Sequence, residues 1–85
     1  MDAKQDRKFE DLMLHALMER PGHEAVLVPS MFNPPIMLSH IFRIGCAMKG
    51  KGYTTAPDRR EGGWHFRLLE PGIAHCQSSA AHASR

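Results

Sequence analysis

The chain has 85 residues and a mass of 9.6 kDa, which leaves room for one small core, because a domain usually spans roughly 100–200 residues. Its composition, 42% hydrophobic and 24% charged with a net charge of +2, is that of a globular domain and excludes a wholly disordered chain. No apolar stretch approaches the roughly 18 residues of a transmembrane helix, and the charged N-terminus argues against a signal peptide. We therefore expect a cytoplasmic protein without membrane association.

The first predicted element is a helix that ends at Arg20-Pro21-Gly22. Its apolar residues recur at the spacing of one helix face, which predicts packing against the core. This stripe contains Phe9, Leu12, Met13, Ala16 and Leu17. Leu14 and Met18 lie beside the stripe, four residues apart. They either widen the buried face, which we favour, or form a contact surface such as the seam of a homodimer.

A short apolar run, Ala25 to Val28, follows and is closed by Pro29. It predicts either a brief strand or the start of a short irregular helix, and periodicity does not separate the two. A second long helix is predicted from about Ile36 to Lys49, with Asn33 as its N-cap and Pro34 at its first position.

The second helix has two different faces when its residues are placed at about 100° intervals. One face is apolar and is predicted to pack in the core: Met37, Leu38, Ile41, Phe42, Ile44 and Met48. The opposite face is small and polar: Ser39, His40, Arg43, Cys46 and Ala47. The second face is therefore expected to be open to a partner.

A β-hairpin is predicted next, with strands over 53–56 and 64–69 and a polar loop over 57–63. In the second strand Trp64, Phe66 and Leu68 alternate with His65 and Arg67, so the aromatic side is expected to pack on the helices. The segment 74–85 is small and polar, which predicts a disordered tail and a folded domain over 1–73.

The basic residues are concentrated in one part of the chain. Residues 38–67 contain six basic side chains, Arg43, Lys49, Lys51, Arg59, Arg60 and Arg67, and two acidic ones, Asp58 and Glu61. An anionic partner would be expected to bind this segment, and a solvated face without a partner is the alternative.

Cysteine and histidine give no comparable signal. The two cysteines are too few for a disulfide framework, so reduced thiols are expected. His75, Cys76 and His82 come nearest to a zinc ligand set, but their spacing matches no zinc motif. No nucleophile stands at a recognisable spacing from a base and an acid. We expect no metal, no cofactor and no enzymatic activity.

The predicted hairpin carries a series of short motifs over residues 52–72. They are Gly52-Tyr53, Pro57-Asp58-Arg59-Arg60, Trp64 and Leu68-Leu69-Glu70-Pro71-Gly72. This series resembles the wing of MarR-type winged helix-turn-helix regulators, which has a Gly-aromatic or Gly-aliphatic start, an Asp-x-Arg tip and a closing Leu-Thr-x-x-Gly. Arg60 matches the arginine of the tip, with Asp58 as its acidic companion, and Leu69 stands where the family has Thr. The segment 26–32 is short for the first helix of a helix-turn-helix and contains Pro29.

The resemblance implies an α+β fold: a small winged helix-turn-helix, with a helical core and a two- to three-stranded β-hairpin wing. It also implies a small DNA-binding transcriptional regulator. Its second long helix would enter the major groove of double-stranded DNA while the wing lies along the minor groove. The expected DNA-contacting residues are Ser39, His40 and Arg43 on the helix, Arg59 and Arg60 on the wing, and Lys49, Lys51 and Arg67 on phosphates. The alternative is a protein–protein interaction module that docks on a larger complex through the same basic face or through the Leu14/Met18 edge.

Overall fold

The computed structural model describes residues 3–83 and the side chains of residues 5–78. The predicted α+β class is confirmed: within these residues, three α-helices accompany a three-stranded antiparallel sheet with the strand order β1-β3-β2. The helices are α1 (Ala3–Met18), α2 (Leu38–Gly50) and α3 (Glu70–Ala83), and the strands are β1 (Glu24–Leu27), β2 (Asp58–Arg60) and β3 (Gly63–Arg67). Within the described residues, no helix has both the length and the apolar character needed to cross a membrane.

Helix α1 buries a wider face than its main stripe. Met13, Leu14 and Leu17 are fully buried, whereas Leu12 is 42% exposed. The prediction that Leu12 lies in the core is therefore wrong, and wider burial is the correct interpretation of Leu14. Leu14 cannot serve as an exposed docking edge, because it shares one core cluster with Cys76 of α3.

The segment between α1 and α2 contains both structures that its sequence allowed. The strand β1 ends at Leu27 and is followed by one turn of 3₁₀ helix, Pro29–Met31. The chain then stays irregular until Met37, the N-cap of α2, so the predicted N-cap at Asn33 is wrong, whereas the helix begins two residues after the predicted Ile36. A residue that precedes proline is disfavoured in the helical conformation, and Pro34 is itself followed by Pro35.

The hairpin is tighter than its sequence predicts. Arg60 pairs with Gly63 across a loop of two residues, Glu61 and Gly62, and Gly62 has a left-handed φ of 81°, which glycine adopts without strain. Most of the predicted loop over 57–63 is therefore strand. The predicted strand over 53–56 reduces to a single bridge between Thr54 and Leu68.

The third helix replaces most of the predicted disordered tail. Helix α3 begins at Glu70 and runs to Ala83, and it packs against α1. Cys76 is only 2% exposed, and Ile73 packs on the core cluster. The prediction of disorder from residue 74 is thus wrong through at least Cys76, since two apolar side chains one turn apart suffice to dock the helix. Residues 84–85 lie outside the described residues.

Helix α2 and strand β3 pack closely against each other. Ile41, Ile44 and Met48 of α2 are buried as predicted, and so are Phe66 and Leu68. A side chain at Gly45 would overlap the ring of Phe66, so this glycine permits α2 to lie directly on β3. Nearer the N-terminus of α2, Met37 is 69% and Phe42 is 42% exposed, although both were predicted in the core.

Candidate nucleic-acid interface

The outward face of α2 combines small side chains with two cations. Ser39, Arg43, Cys46 and Lys49 are all exposed, and Ala47 and Gly50 add little bulk beside them. A helix with such a face can approach a flat or grooved surface closely while its cations reach to either side. The structure therefore brings together three of the predicted contact residues, Ser39, Arg43 and Lys49.

The N-terminal half of α2 and the hairpin enclose a shallow depression, which we call the α2–hairpin groove. It is lined by Leu38, Ser39, Phe42, Arg59 and Trp64. The rings of Phe42 and Trp64 lie 4.7 Å apart between centroids, and the Arg59 guanidinium lies 5.4 Å from the centre of the Trp64 ring. Arg59 also donates a hydrogen bond to the carbonyl of Gly63 at 3.1 Å. Arg59 is thus fixed beside the groove on β2, not free on a loop tip.

The remaining predicted contact residues of the hairpin lie on another surface. Arg60 and Arg67 line a depression on the outer sheet face together with Glu24, Asp58 and His65. Arg60 donates to Asp58 from Nε at 2.9 Å, as the acidic companion predicted for it, and His65 pairs with Glu24 at 3.0 Å. This face carries mixed charge, and the structure does not bring Arg67 together with the α2–hairpin groove.

Two predicted contact residues of α2 interact with a carboxylate of α1. Arg43 donates to both oxygens of Asp6, at 3.2 Å each. His40 lies 3.7 Å from the same carboxylate and packs edge-on against Phe9. The Arg43–Asp6 pair is accessible, with side-chain exposures of 51% and 36%. A pair of this kind contributes only about 0–1 kcal/mol, so Arg43 is free to exchange Asp6 for another anion at little cost.

Lys51, a predicted phosphate contact, forms an ion pair with a carboxylate of α1. Its ammonium donates to both oxygens of Glu10, at 3.0 and 2.9 Å, and the Glu10 side chain is only 9% exposed. Lys51 also lies 5.7 Å from the centre of the Tyr53 ring. A buried carboxylate requires a partner, so the structure assigns Lys51 to the α1–α2 contact.

We expect Lys51→Met to lower the free energy of unfolding by about 1–3 kcal/mol, because it leaves the buried Glu10 carboxylate without its cation. Chemical denaturation followed by circular dichroism measures this loss. Lys49→Met is the matched control: Lys49 is exposed and makes no ion pair within residues 5–78, and its replacement should change stability by less than about 0.5 kcal/mol. Equal effects of the two substitutions would contradict the structural role of Lys51.

The two thiols differ sharply in accessibility. Cys46 is exposed on the outward face of α2, and Cys76 is buried. Burial raises the pKa of the Cys76 thiol, and the nearby Asp11 carboxylate raises it further. Cys76 therefore stays protonated and unreactive near neutral pH, because the thiolate is the reacting form. His75 stacks on Tyr53, and the side chain of His82 lies outside the described part of the chain.

The sequence alone did not indicate three residues that shape this interface. Asp6 and Glu10 of α1 bind cations predicted to contact DNA, and Phe42 lies in the groove although it was expected in the core. The available signal for the first two was the acidic excess of residues 1–24, which contain six acidic and four basic side chains. Comparisons of the chain with family models, curated proteins and solved structures gave no match.

Proposed function

We propose that this chain is a small winged helix that binds double-stranded DNA, as a transcriptional regulator does. The order of its elements supports the proposal: a helix, a short strand, a second helix and a hairpin whose last strand lies at the centre of the sheet. The 3₁₀ turn at Pro29–Met31 stands where a stabilising helix would lie. In this arrangement α2 is the helix that enters the major groove, and the β2–β3 hairpin is the wing.

The observation that carries the proposal is the continuity of helix and hairpin. Ser39 and Phe42 of α2 line the same groove as Arg59 of β2, so one ligand can contact both elements. Arg43 and Lys49 add positive charge along the exposed helix. The major groove, about 12 Å wide, accommodates an α-helix, and the negative phosphates border it on both sides.

Binding of this kind depends strongly on salt. Arg43, Lys49 and Arg59 can supply roughly three phosphate contacts, which predicts a slope of about −2.7 for log affinity against log salt. Affinity for random-sequence duplex should then fall about 40-fold between roughly 50 and 200 mM salt. Lys51 is omitted from these contacts because Glu10 holds it.

The test is a titration of fluorescent random-sequence duplex with wild-type protein and two charge-matched double variants. Lys49→Ala with Arg59→Ala should reduce the steepness of the salt slope by about 1.8. Lys8→Ala with Arg20→Ala is the control: it removes the same charge from α1 and the turn after it, and binding should be retained. Loss of binding in the first variant with retention in the second supports the proposal. No binding at low salt, or equal loss in both variants, overturns it.

Cys46 provides an independent readout at the centre of the proposed interface. Cys46 is accessible and Cys76 is buried, so a maleimide should label the folded protein once. Bound duplex is expected to slow this labelling, because α2 then lies in the major groove of the DNA. Binding that leaves the labelling rate unchanged would place the DNA on another surface and contradict the role of α2.

A protein-interaction module is the second candidate, and the exposed apolar residues favour it. Met37 is 69% exposed and Phe42 is 42% exposed, and apolar side chains are common at the centre of protein interfaces. Such a module would show no steep salt dependence with duplex DNA. The titration therefore separates the two candidates, and a protein lacking all duplex binding should next be used to capture a partner.

A further inference from the structure

Two exposed apolar side chains lie on the part of α2 that the proposed function places against DNA. Met37 and Phe42 have exposures of 69% and 42%, and Phe42 also lines the α2–hairpin groove. Phosphate binding requires neither of them, since they carry no charge and no polar group. Phe42 shares the groove with Arg59, and Met37 directly precedes Leu38, another residue of the groove lining. A ligand that covers both side chains would therefore combine an apolar group with an anion.

The packing of Phe42 makes it suited to a defined contact. One side of its ring rests on Trp64 at 4.7 Å, and Trp64 in turn lies beside the Arg59 guanidinium at 5.4 Å. The ring is thus supported from the protein side while 42% of the residue stays exposed. A side chain held in this way loses little conformational freedom on binding.

The charge of the groove selects an anionic partner. Of the five residues that line it, only Arg59 is charged, and the first turn of α2 contains no acidic residue. Duplex DNA meets this requirement and also offers an apolar group in the major groove, the C5 methyl of thymine. The other groups on the base edges there are hydrogen-bond donors and acceptors.

We infer that Phe42, assisted by Met37, contacts thymine methyl groups and gives the protein a preference for sites that contain thymine at the helix. The inference rests on the proposed function and adds the source of its base preference. One methyl contact buries about as much as one methylene group, which corresponds to roughly a fourfold gain in affinity.

The experiment compares two random-sequence duplex pools that differ only in the methyl group, one synthesised with thymine and one with uracil. Wild-type protein should bind the thymine pool roughly two- to threefold more tightly, because a given contact position holds thymine in only about a quarter of random sequences. Phe42→Ala should remove this ratio and keep the salt slope, since no charge is lost. Leu12→Ala is the control, because Leu12 is also 42% exposed but lies on α1.

The outcomes distinguish the inference from the proposed function. Absence of binding to either pool overturns the proposed function, and the inference with it. Equal binding to both pools, or a ratio that persists in Phe42→Ala, overturns the inference and leaves duplex binding intact. Met37→Ala guards against a folding defect in the first variant: Met37 is 69% exposed, and its replacement should reduce the ratio without affecting thermal unfolding.

Discussion

Leu14→Asp is expected to unfold the domain. Leu14 is fully buried in the core cluster, so the substitution removes a core side chain and forces a carboxylate into an apolar site. Loss of a buried leucine alone costs about 3–5 kcal/mol, and the unpaired charge adds to that cost. A domain of 85 residues has a total stability of about 4–13 kcal/mol. Circular dichroism at 25 °C and a thermal melt should show largely unfolded protein.

Leu12→Asp is the matched control on the same helix. Leu12 is 42% exposed, so its replacement should change the free energy of unfolding by less than about 0.5 kcal/mol. The sequence pattern predicts the reverse order, with Leu12 in the main stripe and Leu14 beside it. If Leu12→Asp were the more damaging variant, the position of α1 against the core described above would be wrong.

The sequence pattern identifies the buried face of α1 incorrectly, because α3, at the other end of the chain, packs against α1. Leu14 is buried because α3 packs along α1, and Asp11, one turn earlier, is close enough to Cys76 to raise its pKa. The sequence of α3 gives little indication of this packing, because it is rich in small and polar residues. Local periodicity identifies a helix from its own residues, but which sides of the helix are buried depends on every element that packs against it.

The elements with strong local signals were predicted well, and their boundaries less so. Ile41, Ile44 and Met48 repeat at helix spacing and are buried, and the alternation around Phe66 marks β3. The boundaries depend on other contacts. Arg59 belongs to β2 because it pairs with Trp64 in the sheet, a contact across the hairpin turn that polar loop-like residues do not reveal.

The candidate interface was predictable as a set of cations, but their partners were not. The sequence places six basic residues within 38–67, and the structure shows that Lys51 contacts Glu10 and Arg43 contacts Asp6. Those carboxylates are about 40 residues away along the chain, so no local pattern connects them. The two ion pairs differ in how far the carboxylate is buried. The pair at buried Glu10 is structural, whereas the more exposed Asp6 can be replaced by another anion at Arg43.

Gly45→Val is expected to lower the free energy of unfolding by roughly 2–3 kcal/mol. A Cβ at this position overlaps the ring of Phe66 and comes within 3.2 Å of Pro57. Phe66 is fully buried, so its ring can move only if the core is displaced. Valine is a better helix former than glycine by a few tenths of a kcal/mol, which offsets little of the cost. Urea denaturation of the purified variant measures the change.

The cause of that loss is tested by two further variants. Gly50→Val makes the same substitution at the end of α2, where a Cβ meets nothing within 4 Å, and should be neutral to within about 0.5 kcal/mol. Phe66→Leu destabilises by itself but removes the ring that the valine strikes. The double variant Gly45→Val with Phe66→Leu should therefore lose less than the sum of the two single losses. Strict additivity would show that α2 and β3 do not meet at Gly45, and the α2–hairpin groove would then lack its structural basis.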